Sequence, residues 1–213
     1  SGYEVVDVNC GEDALKAYDE NDGGFDVALL DIMMPGIDGM QVCKKIREKS
    51  NTIGIIMLSA KSQEMDKICL LYTSDAADDY ITKPFSISEL IARVDAVCRR
   101  VNRSGSKPEE ASQIVSGPFT LNLKSRTVFK NGEQIDLTQV EYQIMEYFFK
   151  NQNTALDRSS ILNHIWGESY YGDDKIVDVN IRRIRMKIED EPSNPKYILT
   201  IWGFGYKWAG GSN

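Results

Sequence analysis

The chain has 213 residues and a net charge of -7, with 42% hydrophobic and 27% charged residues. This composition is typical of a globular protein and excludes a disordered or collagen-like chain, and the length fits one large or two small domains. No apolar run approaches the roughly 20 residues that span a bilayer, and the first residues are polar and acidic rather than those of a signal peptide, so we expect a cytoplasmic protein with no membrane partner.

Charge is distributed unevenly along the chain. Residues 1–103 hold 18 acidic and 12 basic side chains, residues 104–117 hold two and one, and residues 118–213 hold twelve of each. The middle stretch is rich in Ser, Gly, Pro and charge, as linkers are. The sequence therefore predicts an acidic domain over residues 1–102, a linker over 103–117 and a neutral domain over 118–209.

The sequence offers no evident metal cluster. All four cysteines lie in the first half without a close pair, whereas zinc ligands usually come at short spacing. His164 is the single histidine and cannot hold a metal alone. Reduced thiols in a cytosol are the simplest interpretation.

The first half alternates apolar strands with amphipathic helices. Continuous apolar runs are typical of strands that are buried on both faces, and Ser86 has the position of an N-cap for the last helix. This alternation predicts a parallel sheet with helices on both faces. The predicted strands are Tyr3–Val8, Val27–Leu30, Ile53–Leu58 and Tyr80–Thr82, and the predicted helices are Gly11–Glu20, Gly39–Lys49 and Ser86–Arg100.

Three consecutive predicted strands end in polar residues, namely Asp31, Ser59 and Lys83. Because ligands bind beyond the carboxyl ends of such strands, a carboxylate, a hydroxyl and an ammonium should meet at one edge. A carboxylate can attack phosphorus, while lysine neutralises phosphate charge and serine donates to a phosphate oxygen. Each residue alone is better explained as a turn cap or a surface charge, but together they favour phosphoryl chemistry. Pro84, after Lys83, is compatible with a cis peptide bond.

Three segments, LLDIMMPGIDG, IIMLSA and DDYITKPFS, resemble in this order the receiver domain of two-component response regulators. The resemblance implies a flavodoxin-like, doubly wound parallel sheet of the CheY-like kind. It also implies that Asp31 is the phosphoacceptor, Ser59 the switch hydroxyl and Lys83 the phosphate-sensing lysine. Tyr80 would be the aromatic residue that swings inward on activation, and the alternative is that Tyr80 simply packs on its strand.

Two features depart from the receiver pattern. The chain begins just before what would be the family's second strand, without the opening strand and the acidic pair that holds Mg²⁺. Only Asp31 and the Met33 carbonyl remain from that ligand set, so we expect weak Mg²⁺ binding, weak phosphorylation and a fragment of a longer reading frame. The path through Cys69–Ala77 is two residues longer than in the family, which indicates either a natural insertion or an artefact of sequence assembly.

The second half begins with short strands and continues with three helices and a hairpin. Asn131-Gly132 predicts a hairpin turn, and Thr138 with Glu141 has the pattern of a capping box. One helix runs from there to Asn151, a second starts at Asp157, and the third is Lys175–Ile188. The predicted strands are Phe119–Leu123, Thr127–Lys130, Gln134–Leu137, Tyr197–Ile201 and Tyr206–Trp208.

The third helix has an apolar stripe and a basic opposite face. Such a helix suits the major groove of DNA, although a run of charge is more often a solvated surface. The order of helices followed by a hairpin favours DNA. The predicted core stripe is Val177, Ile181, Ile184 and Ile188, and the predicted outer face is Val179, Arg182, Arg183 and Met186, flanked by Asn180, Arg185 and Lys187.

The segments VDVNIRRIRMKI and GFGYKW resemble the winged-helix effector domain of the OmpR/PhoB class, over nearly all of Phe119–Trp208. This implies an α+β winged helix-turn-helix domain, and NPKYILTIWGFGYKW is most similar to the VanR-type branch. Trp202 stands where many members carry an arginine that enters the minor groove, so it either packs on the wing or contacts sugars. The implied DNA contacts are Asn180, Arg182, Arg183, Arg185, Lys187, Thr200 and Lys207.

Together the two resemblances imply a phosphorylation-controlled transcription factor. A sensor histidine kinase would phosphorylate Asp31, and a homodimer would bind direct repeats in double-stranded promoter DNA, with RNA polymerase as a further partner. The alternatives are a DNA-binding regulator that ignores phosphorylation and, last, a phosphatase, for which Met33 stands where a second carboxylate is needed. Inter-subunit ion pairs are expected at Asp78, Asp79, Glu89 and Arg93.

Overall fold

The computed structural model describes residues 2–60, 77–101, 113–167, 170 and 173–210. The chain divides into two compact units, Ser1–Arg103 and Ser104–Asn213. None of the helices within the described ranges is both long and apolar enough to cross a bilayer.

A three-stranded parallel sheet organises the first unit. Its strand order, β1-β2-β3, follows the chain, and the register pairs Asp31 with Leu58 and Ser59 with Thr82. The carboxyl ends of all three strands therefore meet at one edge, which confirms the predicted alternation. The elements are α1 (Gly11–Glu20), β1 (Val27–Asp31), α2 (Gly39–Arg47), β2 (Gly54–Ala60), β3 (Asp79–Lys83) and α3 (Ile87–Val101).

Apolar clusters cover both faces of this sheet. One cluster contains Val42 and Ile46 of α2 together with Ile55 of β2, and the other contains Ile56 of β2 with Val97 of α3. Consecutive residues of a strand point to opposite faces, so the two clusters lie on opposite sides. Burial on both faces explains why the central strand β2 is a continuous apolar run rather than an alternating one.

The predicted strand at Tyr3–Val8 is wrong, since no strand is assigned to residues 2–10. A strand needs a neighbour that accepts and donates backbone hydrogen bonds, and in the described part of this unit the sheet consists of β1, β2 and β3. Val5 and Val6 are exposed. The segment Cys69–Ala77, whose origin the sequence left open, lies outside the described residues except for its last position.

Within the described ranges, the second unit contains two antiparallel sheets and three helices. The sheet orders are β4-β5-β6-β7 and β8-β10-β9. Asn131 and Gly132 have φ of 52° and 87°, as the predicted hairpin turn requires. The elements are β4 (Gln113–Ser116), β5 (Phe119–Asn122), β6 (Thr127–Lys130), β7 (Glu133–Ile135), α4 (Gln139–Lys150), β8 (Ala155–Asp157), α5 (Arg158–Trp166), α6 (Lys175–Ile188), β9 (Ile198–Ile201) and β10 (Gly205–Trp208).

Part of the predicted linker is a strand. Residues 113–116 form β4, which pairs with β5, whereas residues 103–112 lie outside the described residues. Ser116 is buried, and its Oγ accepts a hydrogen bond from Trp208 Nε1 at 2.8 Å and donates to Gln152 Oε1 at 3.0 Å. The composition of this stretch concealed the strand because four residues show no clear periodicity, and the side-chain contacts of Ser116 come from residues that are distant in sequence.

Side chains cap α3, α4 and α5 at the residues that the sequence predicts. Thr138 N donates to Glu141 Oε2 at 2.8 Å and Glu141 N donates to Thr138 Oγ1 at 3.4 Å, which completes the capping box of α4. Asp157 caps α5 by accepting a hydrogen bond from Ser160 N at 2.8 Å. In the first unit, Ser86 caps α3 in the same way. Such caps stabilise a helix by about 1 kcal/mol each.

Candidate functional site

The first candidate site lies at the carboxyl edge of the parallel sheet. Asp31 ends β1 and Lys83 ends β3, on either side of β2. Lys83 Nζ forms an ion pair with Asp31 Oδ2, and Met33 N donates to Asp31 Oδ1 at 3.1 Å. The structure thus brings together the carboxylate and the ammonium, both partly exposed to solvent, and the Lys83–Pro84 peptide bond is cis.

Ser59 lies at the same edge, but its hydroxyl is engaged locally. The side chain is buried, and its Oγ donates to the Ala60 carbonyl oxygen at 3.1 Å. A phosphoryl group on Asp31 would receive this hydrogen bond only after the hydroxyl leaves that carbonyl. Tyr80 is half-buried and packs against the apolar cluster of α2 and β2, and its inward swing stays a prediction.

The loop after Asp31 is held by Glu12 and Asp38, which the sequence analysis did not single out. Glu12 of α1 accepts a backbone hydrogen bond from this loop at 3.1 Å. Asp38 caps α2 by accepting from Gln41 N at 2.8 Å, and the backbone and side-chain donors of Gln41 lower the pKa of Asp38. A Cβ added to Gly39 would lie 2.2 Å from the Asp31 carbonyl oxygen. An Asp immediately before an amphipathic helix is an N-cap signal that could have revealed Asp38.

The second candidate site is α6, and its predicted outer face is partly wrong. Arg183 is only 7% exposed and Val179 is buried as well. Asn180 is 1% exposed, and its Nδ2 donates to the Ile176 carbonyl oxygen at 2.9 Å. The four residues of the predicted core stripe are buried as expected. Because α6 packs against both α4 and α5, the covered arc is wider than one apolar stripe.

Three further predicted DNA contacts, Arg185, Thr200 and Lys187, are engaged within the unit. Arg185 Nη2 donates to the Ile198 carbonyl oxygen at 2.7 Å and to Thr200 Oγ1 at 2.9 Å. Lys187 Nζ donates to Glu141 at 2.7 Å, and that carboxylate is fully buried. Arg185 thus links α6 to the wing, which is the hairpin of β9 and β10, and Lys187 links α6 to α4. Their positive charges are already partly balanced by contacts within the protein.

The outward residues of this unit mix charge with large apolar groups. Arg182 and Met186 are exposed on α6, and Lys207 on the wing is half-buried. Trp202, at the turn between β9 and β10, is 91% exposed, and Phe204 beside it is also exposed. Packing of Trp202 on the wing, one of the two alternatives for this residue, is therefore wrong.

The family comparisons identify the domain in which each candidate site lies. The model of the response regulator receiver domain matches residues 1–95, and the model of the C-terminal domain of transcriptional regulatory proteins matches residues 132–208. Sensory transduction protein RegX3 of Mycobacterium tuberculosis is 40% identical over 211 residues, which cover 98% of this chain and 89% of that protein. The uncharacterized transcriptional regulatory protein YcbL of Bacillus subtilis is 40% identical over 207 residues, covering 97% and 89%. The chain belongs to the OmpR/PhoB class of response regulators.

Solved structures extend the similarity from sequence to fold. Two RitR mutants match 98% of this chain and 89% of theirs, with TM-scores of 0.73 and 0.71 at 25% and 26% identity. With the two family models, this fold shows that the response regulator combines a receiver domain with a winged-helix DNA-binding domain. The more specific similarity to the VanR-type branch stays a prediction.

Receivers generally bind Mg²⁺ for phosphorylation, and the described residues supply only part of a site for it. They offer the Asp31 carboxylate and the Met33 carbonyl, and no group of three or more His, Cys, Asp or Glu side chains in the described part of the chain could hold a metal. Mg²⁺ demands near-octahedral coordination. These residues do not fit a complete magnesium site, and we assign no step to the ion.

The residues predicted to form ion pairs between receivers form ion pairs within this receiver. Arg47 Nη2 lies 2.5 Å from Asp78 Oδ2, and Arg93 pairs with Asp79 at 3.1 Å and with Glu89 at 3.0 Å. Asp78, Asp79 and Arg93 are buried in the single chain. Because breaking a buried pair is costly, the structure gives these residues an internal role, and ion pairs between subunits stay a prediction.

Proposed function

We propose that this chain is a promoter-binding regulator that a sensor histidine kinase switches by phosphorylating Asp31. The observation that carries this proposal is the Asp31–Lys83 ion pair at the carboxyl edge of the sheet. In such sheets this edge is where ligands bind. The chain also belongs to the response regulators, which supports the assignment of Asp31 as the phosphoacceptor.

The proposed chemistry is transfer of a phosphoryl group to a carboxylate oxygen. A new P–O bond forms at Asp31 as the P–N bond of the kinase's phosphohistidine breaks. The phosphoryl group adds negative charge beside Lys83, whose ammonium then pairs with a phosphate oxygen. Ser59 leaves the Ala60 carbonyl and donates to the same group, and this movement is the link from phosphorylation to Tyr80.

The proposed output is binding of a homodimer to direct repeats in double-stranded promoter DNA, with RNA polymerase as a further partner. In this proposal α6 enters the major groove with Arg182 and Met186 toward the bases, and Trp202 contacts the sugars of the adjoining backbone. Arg185 and Thr200 orient the wing rather than contact DNA. The exposure of Arg182 and Trp202 supports these roles.

Phosphotransfer is tested by incubating the full chain with acetyl phosphate and Mg²⁺ and measuring the intact mass. We expect one phosphoryl adduct on a minor fraction of the wild type, because the described residues supply only part of a magnesium site, and none on Asp31→Asn. Asp26→Asn, a carboxylate change at the opposite end of β1, is the matched control and should keep the adduct. An adduct that persists on Asp31→Asn would reject Asp31 as the acceptor.

A second candidate is a DNA-binding regulator that acts without phosphorylation. The incomplete set of magnesium ligands in the described residues favours it. It predicts that wild type and Asp31→Asn bind duplex DNA equally well, with or without the phosphodonor. A gain in DNA affinity that requires both the donor and Asp31 would reject this candidate.

A further inference from the structure

The exposed side of α6 carries one carboxylate where basic residues would be expected. Asp178 lies four residues before Arg182, which places the two side chains one turn apart on the same side of the helix. Its side chain is 40% exposed. A carboxylate in this place repels DNA phosphates, so its contacts within the protein are informative.

One oxygen of Asp178 joins three elements of the winged helix. Arg158, the first residue of α5, donates its Nε hydrogen to Asp178 Oδ1 at 2.8 Å. Tyr206 of β10 donates its hydroxyl hydrogen to the same oxygen at 2.6 Å. Burial and this hydrogen bond raise the pKa of Tyr206 to about 12, so the hydroxyl remains a donor at neutral pH.

The Tyr206 ring lies near two guanidinium groups that extend this network. Arg158 lies 5.1 Å from the ring centroid and Arg185 lies 5.6 Å from it. Arg185 also donates to Thr200, which pairs with Tyr206 across the hairpin. The wing is therefore fixed to α6 at two positions, through Asp178 and through Arg185.

We propose that Asp178 is a positioning residue for DNA selection, which neutralises Arg158 beside the groove and fixes the wing at one angle to α6. Neutralising Arg158 lowers the attraction of the protein for DNA phosphates. Because this attraction does not depend on base sequence, its loss favours selective binding. A wing held at one angle lowers the affinity for duplexes whose backbone does not match its position. The protein therefore selects its duplex partly by disfavouring the others. This inference rests on the proposed binding of promoter DNA.

The test compares Asp178→Asn with Asp190→Asn in the full chain. Asp190 is a matched control because it lies just beyond the end of α6 and also pairs with a cation, Lys130 Nζ at 2.8 Å. A duplex is first enriched from a random-sequence library with the wild type, and a shuffled duplex of the same composition serves as competitor. Affinity for both is then measured over a range of salt concentrations.

For Asp178→Asn we expect the slope of log affinity against log salt to steepen by about 0.9 on both duplexes, as for one added phosphate contact. The ratio of affinities for enriched and shuffled duplex should fall by about fivefold, the scale of one lost hydrogen bond. Asp190→Asn should leave both quantities unchanged. Equal slopes and ratios for the two variants would overturn the proposal.

Two further variants separate the two parts of the role. Arg158→Gln added to Asp178→Asn should return the salt slope to the wild-type value, because the released cation is gone. Tyr206→Phe changes no charge and should reduce the affinity ratio without changing the slope. An unchanged ratio for Tyr206→Phe would overturn the wing part. Failure of the wild type to bind any duplex would instead reject the proposed function, which distinguishes the two failures.

Discussion

The two sites of this molecule differ in how their charged residues are used. At the sheet edge of the receiver, Asp31 and Lys83 pair with each other and remain partly exposed, so the pair is available to a phosphoryl group. On α6, Arg183 is buried and Lys187 is paired with the buried Glu141. The basic run of α6 therefore serves the interior of the winged helix as much as its exterior.

The difference comes from the geometry of strands and helices. The end of a parallel strand is a defined place, because neighbouring strands in register bring their last residues to one edge. A helix that packs against two others has a covered arc whose width the apolar stripe does not reveal. Long side chains such as arginine can also bury their methylene groups while keeping polar contacts.

The largest expected effect is in the receiver, at Gly39. In Gly39→Ala the added Cβ would lie 2.2 Å from the carbonyl oxygen of Asp31, a backbone atom that cannot move aside easily. We expect a loss of about 3 kcal/mol in the free energy of unfolding. This loss is measured by urea titration followed by far-UV circular dichroism. The transition seen by tryptophan fluorescence should not change, because all three tryptophans lie in the second unit.

Gly24→Ala is the control for this prediction. A Cβ there would lie 3.1 Å from its nearest neighbour, the Asn21 carbonyl oxygen, so only a small adjustment is needed. Equal losses in the two variants would show that close approach to Asp31 is not what restricts position 39.

The next effect tests the interior role of α6. Arg183→Ala removes a side chain that is 7% exposed, and we expect a loss of about 2 kcal/mol in the stability of the second unit. The measurement is a urea titration followed by tryptophan fluorescence. A variant as stable as the wild type would return Arg183 to the list of side chains that serve DNA binding alone.

Much of the receiver could be predicted from its sequence, and less of the winged helix. The apolar runs and the residues at their ends located Asp31 and Lys83, because a parallel sheet leaves little freedom there. The strands β4 and β8 escaped prediction because three or four residues show no clear periodicity, and the partner of β8, which is β10, is remote in sequence. The failed strand at Tyr3–Val8 shows the converse, that apolar residues alone do not make a strand without a neighbour.

Arg182→Ala should separate the exterior of α6 from its interior. Arg182 adjoins Arg183 in sequence but is exposed, so we expect no change in the urea midpoint. Affinity for duplex DNA should fall about tenfold, the scale of one lost arginine contact. Fluorescence anisotropy with a labelled duplex measures this. Loss of stability similar to that of Arg183→Ala would contradict the division of α6 into two faces.

Trp202→Ala should weaken DNA binding in a different manner. An indole contacts sugars or bases through dispersion and stacking rather than charge, so we expect about a fivefold loss of affinity with an unchanged salt slope. Trp202→Arg should restore affinity at low salt and steepen the slope by about 0.9. If Trp202→Ala leaves affinity unchanged at every salt concentration, Trp202 lies away from the DNA.

The smallest expected effect compares the helix caps of the two units under acid. The pKa of Asp38 is lowered by Gln41, and that of Asp157 is lowered by the side chain and backbone of Ser160. A carboxylate whose pKa is lower in the folded state stabilises the protein at pH values above its unfolded pKa of about 3.9, and this contribution is lost as pH falls through the folded pKa.

Asp38→Asn and Asp157→Asn keep a capping oxygen but cannot titrate. We expect each substitution to lower the free energy of unfolding by about 0.5 kcal/mol near neutral pH and to leave it unchanged in strong acid. Urea titrations measure this, followed by circular dichroism for the first unit and by tryptophan fluorescence for the second. A cost that stays constant over the whole pH range would mean that the charge of the cap contributes nothing and that its hydrogen-bond geometry alone stabilises the helix.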